Sequence, residues 1–155
     1  MDLSEEAALL SRGLHGRFVT PAETARWADK WIAALPDVPP CLFDVSLGAG
    51  RTEPEVADFL SPLTRGFQDT DLVPATLGLM GNALAKDNAR AASIAEALWQ
   101  LDLSGVLPQP VGARIGAIKF PLEDACDEEY GSYPEVLATL AAALEPYRHL
   151  VPFAV

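Results

Sequence analysis

The sequence repeats one local signal, a helix start, at four places along its length. The pairs are Asp2 with Glu5, Thr20 with Glu23, Thr52 with Glu55, and Ser132 with Glu135. In each pair, a short polar side chain and a Glu three residues later can satisfy two backbone N–H groups that the first turn leaves unpaired. Apolar residues at helical spacing follow every pair, so four helices are predicted.

Further helices are predicted where apolar residues recur at helical spacing without such a pair. Residues 72–86 and 88–101 both show this spacing, and residues 111–120 continue it until Pro121 breaks the run. Gly78 and Gly81 leave little side-chain bulk on part of the first of these helices. That composition predicts close helix packing rather than a ligand site.

Residues 41–47 fit two structures. Apolar and polar residues nearly alternate there, as in a strand, yet Pro39 and Pro40 before an apolar run also suit the start of a short buried helix. No second strong strand candidate is present to pair with this segment. A helix is therefore the prediction.

The best candidate for a linker is residues 103–110, where Gly105, Pro108 and Pro110 interrupt the helical pattern. The chain beyond it would be marginal as a domain of its own, so we interpret the segment as a loop inside one domain. The predicted fold is all-α. It is a single domain over residues 1–155, built as a bundle or stack of about seven to eight short helices.

Charge narrows the classes of partner. The 155 residues carry 22 Asp and Glu against 11 Lys and Arg, a formal net charge of −11. A chain this acidic is repelled by nucleic-acid backbones and by anionic membrane surfaces, so neither is an expected partner. The N-terminus has no signal-peptide pattern, and the longest uncharged helical stretch is too short to span a bilayer. We therefore expect a cytoplasmic protein.

Catalytic and metal-binding patterns do not emerge from the sequence. His15 and His149 are the only histidines, and Cys41 and Cys126 the only cysteines. They form no motif of zinc ligands, no nucleophile motif accompanies them, and Cys41 beside Leu and Phe suggests a buried, inert thiol. We expect no cofactor, no metal and no enzymatic activity. The enzyme that the sequence leaves open, one with a carboxylate site that no motif announces, would need a pocket with two or more convergent carboxyl groups.

Residues 123–133 concentrate negative charge and aromatic side chains. Like charges this close repel one another in the folded state, and a cationic partner would relieve that cost. Tyrosines beside them would supply the amphipathic anchors that protein interfaces favour. The alternative is a solvated acidic helix that keeps the protein soluble. The candidate partner-binding residues are Glu123, Asp124, Asp127, Glu128, Glu129, Tyr130 and Tyr133.

A second segment resembles a known kind of protein. Its residues are Trp27, Ala28, Asp29, Ile32, Pro39, Pro40, Leu42, Asp44, Val45, Ser46 and Leu47. This stretch of about twenty residues is similar to a pattern in small helical bacterial proteins of the toxin-immunity type. The resemblance implies a helical single-domain protein that neutralises a partner, and it implies no binding residues.

Two functions follow as hypotheses. The first is an immunity or inhibitor protein whose acidic surface covers the basic active-site cleft of a cognate toxin, such as a nuclease. The second is a helical adaptor or structural interaction module that binds through an apolar groove or through the apolar C-terminal residues 151–155.

Overall fold

All regular structure in the described part of the chain is helical, which confirms the all-α prediction. The computed structural model describes residues 1–64, 66, 72–115 and 133–151. Eight α-helices lie within these ranges. They are α1 (Leu3–His15), α2 (Pro21–Ala34), α3 (Cys41–Ser46), α4 (Glu53–Leu60), α5 (Val73–Lys86), α6 (Ala91–Leu103), α7 (Gln109–Ile115) and α8 (Tyr133–Leu144).

The helices form two compact units. Unit 1 is Met1–Leu72 and unit 2 is Val73–Val151. The predicted loop at 103–110 lies inside unit 2, where it is shortened to residues 104–108 because α6 runs to Leu103 and α7 begins at Gln109. Pro110 does not prevent this start, since the first turn of a helix needs no intrahelical N–H donor. A single domain over 1–155 stays a prediction.

The helix starts of unit 1 are those that the sequence predicts. The backbone N–H groups of Asp2, Thr20 and Thr52 donate to the Glu carboxyl oxygen three residues later, at 2.8, 2.9 and 3.0 Å. These contacts fix where α1, α2 and α4 begin. The fourth predicted start, at Ser132, lies outside the described residues, and α8 is described from Tyr133.

The helices of unit 1 surround an apolar core. α2 packs against α3, and α1 packs against α4. The larger side chains that lose almost all of their solvent exposure are Leu9, Leu10, Leu14, Phe18, Leu42 and Leu60. Burial of this apolar surface is the main force that holds the four short helices together, because helices this short are marginal alone.

The ambiguous segment 41–47 is helical. α3 covers Cys41–Ser46, and a 3₁₀ helix, Leu47–Gly50, continues it. Leu42 and Val45, three residues apart, are fully buried against the rest of unit 1. The spacing of the buried pair is that of a helix, since a strand would bury every second residue.

Unit 2 is organised around α5. Its closest packing partner is the 3₁₀ helix Glu145–Leu150, which follows α8 directly. A Cβ atom on Gly78 would overlap the Tyr147 carbonyl oxygen, and one on Gly81 would lie 2.7 Å from Arg148 Cγ. The two glycines therefore allow this close approach, and the prediction of close helix packing is confirmed.

None of the described helices combines the length with the apolar character that crossing a membrane requires.

Candidate protein-binding surfaces

Of the seven residues proposed from the sequence, the structure places Tyr133. The other six, Glu123, Asp124, Asp127, Glu128, Glu129 and Tyr130, lie outside the described residues. Tyr133 is the first residue of α8 and is 44 % exposed. Its hydroxyl donates to the Asn88 carbonyl oxygen at 3.4 Å. The ring thus has a polar anchor within unit 2 and still presents much of its surface to solvent.

The outer side of α3 and of the 3₁₀ turn that continues it presents two large apolar side chains. Phe43 is 49 % exposed and Leu47 is 82 % exposed. A helix turns about 100° per residue, so residues four apart lie on one side. Leu42 and Val45 occupy the opposite, buried side. We call the exposed side the α3 face and define it by Pro40, Phe43, Asp44 and Leu47, all of which are exposed.

Carboxyl groups accompany the apolar side chains of the α3 face. Asp44 is exposed and follows Phe43 directly. The hydroxyl of Ser46, the residue before Leu47, donates a hydrogen bond to a carboxyl oxygen of Asp29 from α2, which is also exposed. The surface therefore combines an apolar pair with nearby acidic groups.

The cation that follows Phe43 and Leu47 in the sequence is already paired. Arg51 Nη1 lies 3.7 Å from Glu55 Oε1. Both groups are largely solvent-exposed, so the pair itself adds little stability. Unit 1 keeps an acidic excess, since residues 1–64 contain ten Asp and Glu against five Lys and Arg.

A small cleft opens in unit 2 between α5, α8 and the 3₁₀ helix that follows α8. Its volume is about 80 Å³. Arg148 cannot easily serve a ligand there, because its Nε donates to Asn82 Oδ1 at 3.1 Å and its Nη1 to Glu145 Oε2 at 2.8 Å. The cleft suits an apolar group rather than an anion. Its lining residues are Gly81, Leu84, Ala85, Asn88, Leu137, Ala141, Glu145 and Arg148.

A buried carboxyl group joins α1 to α2. Glu6 is 8 % exposed, and its Oε2 accepts hydrogen bonds from Trp27 Nε1 at 2.7 Å and from Trp31 Nε1 at 2.9 Å. Two indole donors therefore share one oxygen. We assign this contact a structural role in unit 1, because Trp27 and Trp31 both belong to α2 and together hold the carboxyl group of α1 in place.

Among the residues that the structure describes, Cys41, His15 and His149 belong to no metal-binding group. Burial raises the pKa of the Cys41 thiol, which favours its protonated, weakly nucleophilic form. His15 ends α1, with its Nδ1 2.7 Å from the Ser11 carbonyl oxygen, and His149 is exposed. Within the described ranges, no three His, Cys, Asp or Glu side chains are grouped so that they could hold a metal ion.

Sequence reasoning missed the exposed pair on α3, although a signal for it was present. Once Leu42 and Val45 are assigned to the buried side, Phe43 and Leu47 must point away from it. Glu6 had a comparable signal. It lies four residues before Leu10, which is buried, so a polar side chain at that position requires buried partners.

Comparison of the chain with protein-family models, with curated proteins and with solved structures found no match. The resemblance to immunity-type proteins therefore stays a prediction.

Proposed function

We propose that this chain is a non-enzymatic protein-binding protein, most concretely an immunity or inhibitor protein that neutralises a basic bacterial toxin domain such as a nuclease. The observation that carries the proposal is the exposure of Phe43 and Leu47 on one side of α3, within an acidic unit. Large apolar side chains serve as anchors in protein interfaces. Two of them side by side on a solvent-exposed surface do not stabilise the isolated protein.

Charge supports the choice of a basic partner. The net charge of −11 attracts a cationic protein over a distance and accelerates association at low salt. A nuclease has to be basic around its phosphate-binding site, which makes it a suitable target for an acidic inhibitor. In this proposal, residues 123–130 and Tyr133 contribute part of the attraction.

The test has two steps. Purified basic nuclease toxin domains are passed over a column that carries the full chain, and the affinity of the chain for a retained domain is then measured. We expect the affinity to fall as salt rises, and reversal of Glu123, Asp127 and Glu129 to Lys to weaken binding by about tenfold and to flatten the salt dependence. A control reverses Asp37, Asp58 and Glu96, which changes the net charge equally. Equal affinity and salt dependence in all variants would show that the acidic run is not the binding site. Failure to retain any toxin domain would contradict the inhibitor function.

A second function, a helical adaptor, is favoured by the apolar cleft of unit 2. Leu84, Leu137 and Ala141 line it, and about 80 Å³ suits one small apolar side chain of a partner. Leu137→Trp would fill the cleft. Loss of partner binding in that variant, with affinity unchanged after the acidic reversal, would support the adaptor instead of the inhibitor.

A further inference from the structure

The α3 face carries an apolar surface that the fold of unit 1 does not use. Burial of a Leu side chain stabilises a protein, and Leu47, which is 82 % exposed, gains little of that stabilisation. Leu42 and Val45 already bury the inner side of the same helix. The outer pair is therefore available to a partner without any rearrangement of the core.

The arrangement of charge limits what can cover this face. Asp44 belongs to the α3 face, and the exposed Asp29 carboxyl group is hydrogen-bonded to Ser46, the residue before Leu47. A second copy of this chain would bring the same carboxyl groups against one another across a two-fold axis, and each copy carries a net charge of −11. Like charges at such an interface are unfavourable, so a second copy of this chain is not the expected occupant.

We propose that the α3 face docks a cationic amphipathic helix of a partner protein. The apolar stripe of that helix packs against Phe43 and Leu47, and its Lys or Arg side chains flank the stripe and reach Asp44 and Asp29. This inference rests on the proposed function, because it identifies the surface and the partner chemistry for the same protein-binding role. Helix-on-helix recognition of this kind depends on a few apolar anchors at i and i+4, the spacing of Phe43 and Leu47.

The probe is a fluorescently labelled amphipathic peptide of leucine and lysine, about five helical turns long. Its binding to the full chain is measured by fluorescence anisotropy. We expect the double variant F43A/L47A to lose about tenfold in affinity, because hot-spot anchors contribute most of the binding energy. Leu103→Ala is the matched control. Leu103 is 65 % exposed in unit 2, so its truncation leaves the affinity unchanged.

Charge specificity is tested with two further peptides. A scrambled leucine–lysine peptide has the same charge without a stripe, and a leucine–glutamate peptide has the stripe with the opposite charge. We expect neither to bind as the first peptide does. Asp44→Lys should weaken binding of the leucine–lysine peptide and strengthen binding of the leucine–glutamate peptide. Equal binding of the scrambled peptide would overturn the inference, since net charge alone would then explain the result.

The outcomes separate this inference from the proposed function. If F43A/L47A binds the leucine–lysine peptide like the wild type, the α3 face is not the docking site, whereas toxin-domain binding decides the proposed function independently. If F43A/L47A abolishes peptide binding while no toxin domain is retained, the α3 face stands and the inhibitor function fails. Leu47→Ala alone serves as the second variant, because its exposed position makes a folding defect the least expected.

Discussion

The two units hold neighbouring helical segments together by opposite means. In unit 1, α1 and α2 are linked by a side chain that is present, since Glu6 accepts from two indole N–H groups. In unit 2, α5 and the 3₁₀ helix 145–150 approach closely because side chains are absent at Gly78 and Gly81.

The difference predicts different sensitivities. A hydrogen-bonded contact tolerates a change of volume better than the loss of its acceptor, because each buried donor left unpaired costs free energy. A close approach of backbones tolerates no added volume, because the interior is already densely packed. The following variants test whether the two contacts respond in these opposite ways.

The largest effect is expected for Glu6→Ala. It leaves the indole N–H groups of Trp27 and Trp31 without their acceptor, and we expect a loss of about 4 kcal/mol in the free energy of unfolding. Glu6→Gln keeps a carbonyl oxygen and should cost about 1 kcal/mol. Urea unfolding followed by circular dichroism measures both. Equal losses for the two variants would show that acceptor geometry is not what matters.

Gly78→Ala should be next, with a loss of about 3 kcal/mol, because its Cβ overlaps the Tyr147 carbonyl oxygen and backbone has to move. Gly81→Ala is the matched variant on the same helix. Its new Cβ meets side-chain atoms of Arg148 and Leu144 rather than backbone, so the expected loss is smaller, about 1 kcal/mol. Urea midpoints for the two proteins check the order, and a larger loss for Gly81→Ala would contradict it.

The helix ends offer a matched pair with opposite signs. Arg17, two residues after the end of α1, has a φ of 57°, and Gly105, two residues after the end of α6, has a φ of 71°. Side chains disfavour this left-handed region, so Arg17→Gly should stabilise the protein by about 1 kcal/mol and Gly105→Ala should destabilise it by a similar amount. Thermal unfolding measures both shifts. A destabilised Arg17→Gly protein would show that the Arg17 side chain has a compensating role.

The smallest effect concerns pH. Hydrogen bonds from Thr52, first from its backbone N–H and then from its hydroxyl, lower the pKa of Glu55. The folded-state pKa is thus below the unfolded one, so the contribution to stability is complete above the unfolded pKa and disappears as pH falls through the folded pKa.

Glu55→Gln should therefore lose less stability than the wild type between neutral pH and about pH 3. Urea midpoints at both pH values measure the change. An identical pH dependence in the two proteins would contradict a stabilising role for the ionised side chain of Glu55.

Local sequence signals predicted the helices well, because their causes are local. Asp2, Thr20 and Thr52 cap the helices that follow through contacts only three residues away. The short helix within 41–47 was predictable because Pro39 and Pro40 precede it and the sequence offers no second strong strand candidate to pair with it. The link between Glu6 and Trp27 spans 21 residues, and nothing local states which buried donors a carboxyl group will meet.

The candidate site also divides into a part that local sequence indicates and a part that depends on distant packing. Composition indicated an acidic protein and drew attention to residues 123–130, whereas the exposed pair Phe43 and Leu47 emerged only with the orientation of α3. A short apolar helix has two sides, and the packing of distant elements decides which one is buried. Sequence spacing places Phe43 and Leu47 on one side of a helix, but it does not say whether that side faces the core or the solvent.

The contact at Glu6 has a spectroscopic consequence. Trp27 and Trp31 both donate to its carboxyl oxygen, and Trp99, the third tryptophan of the chain, is half-buried in unit 2. Intrinsic emission from this protein is thus a sum of two reporters, one for each unit. Trp99→Phe would leave a tryptophan signal from unit 1 alone. Comparing its emission curve with the circular dichroism of the same protein during unfolding reveals whether unit 1 loses its structure together with the other helices.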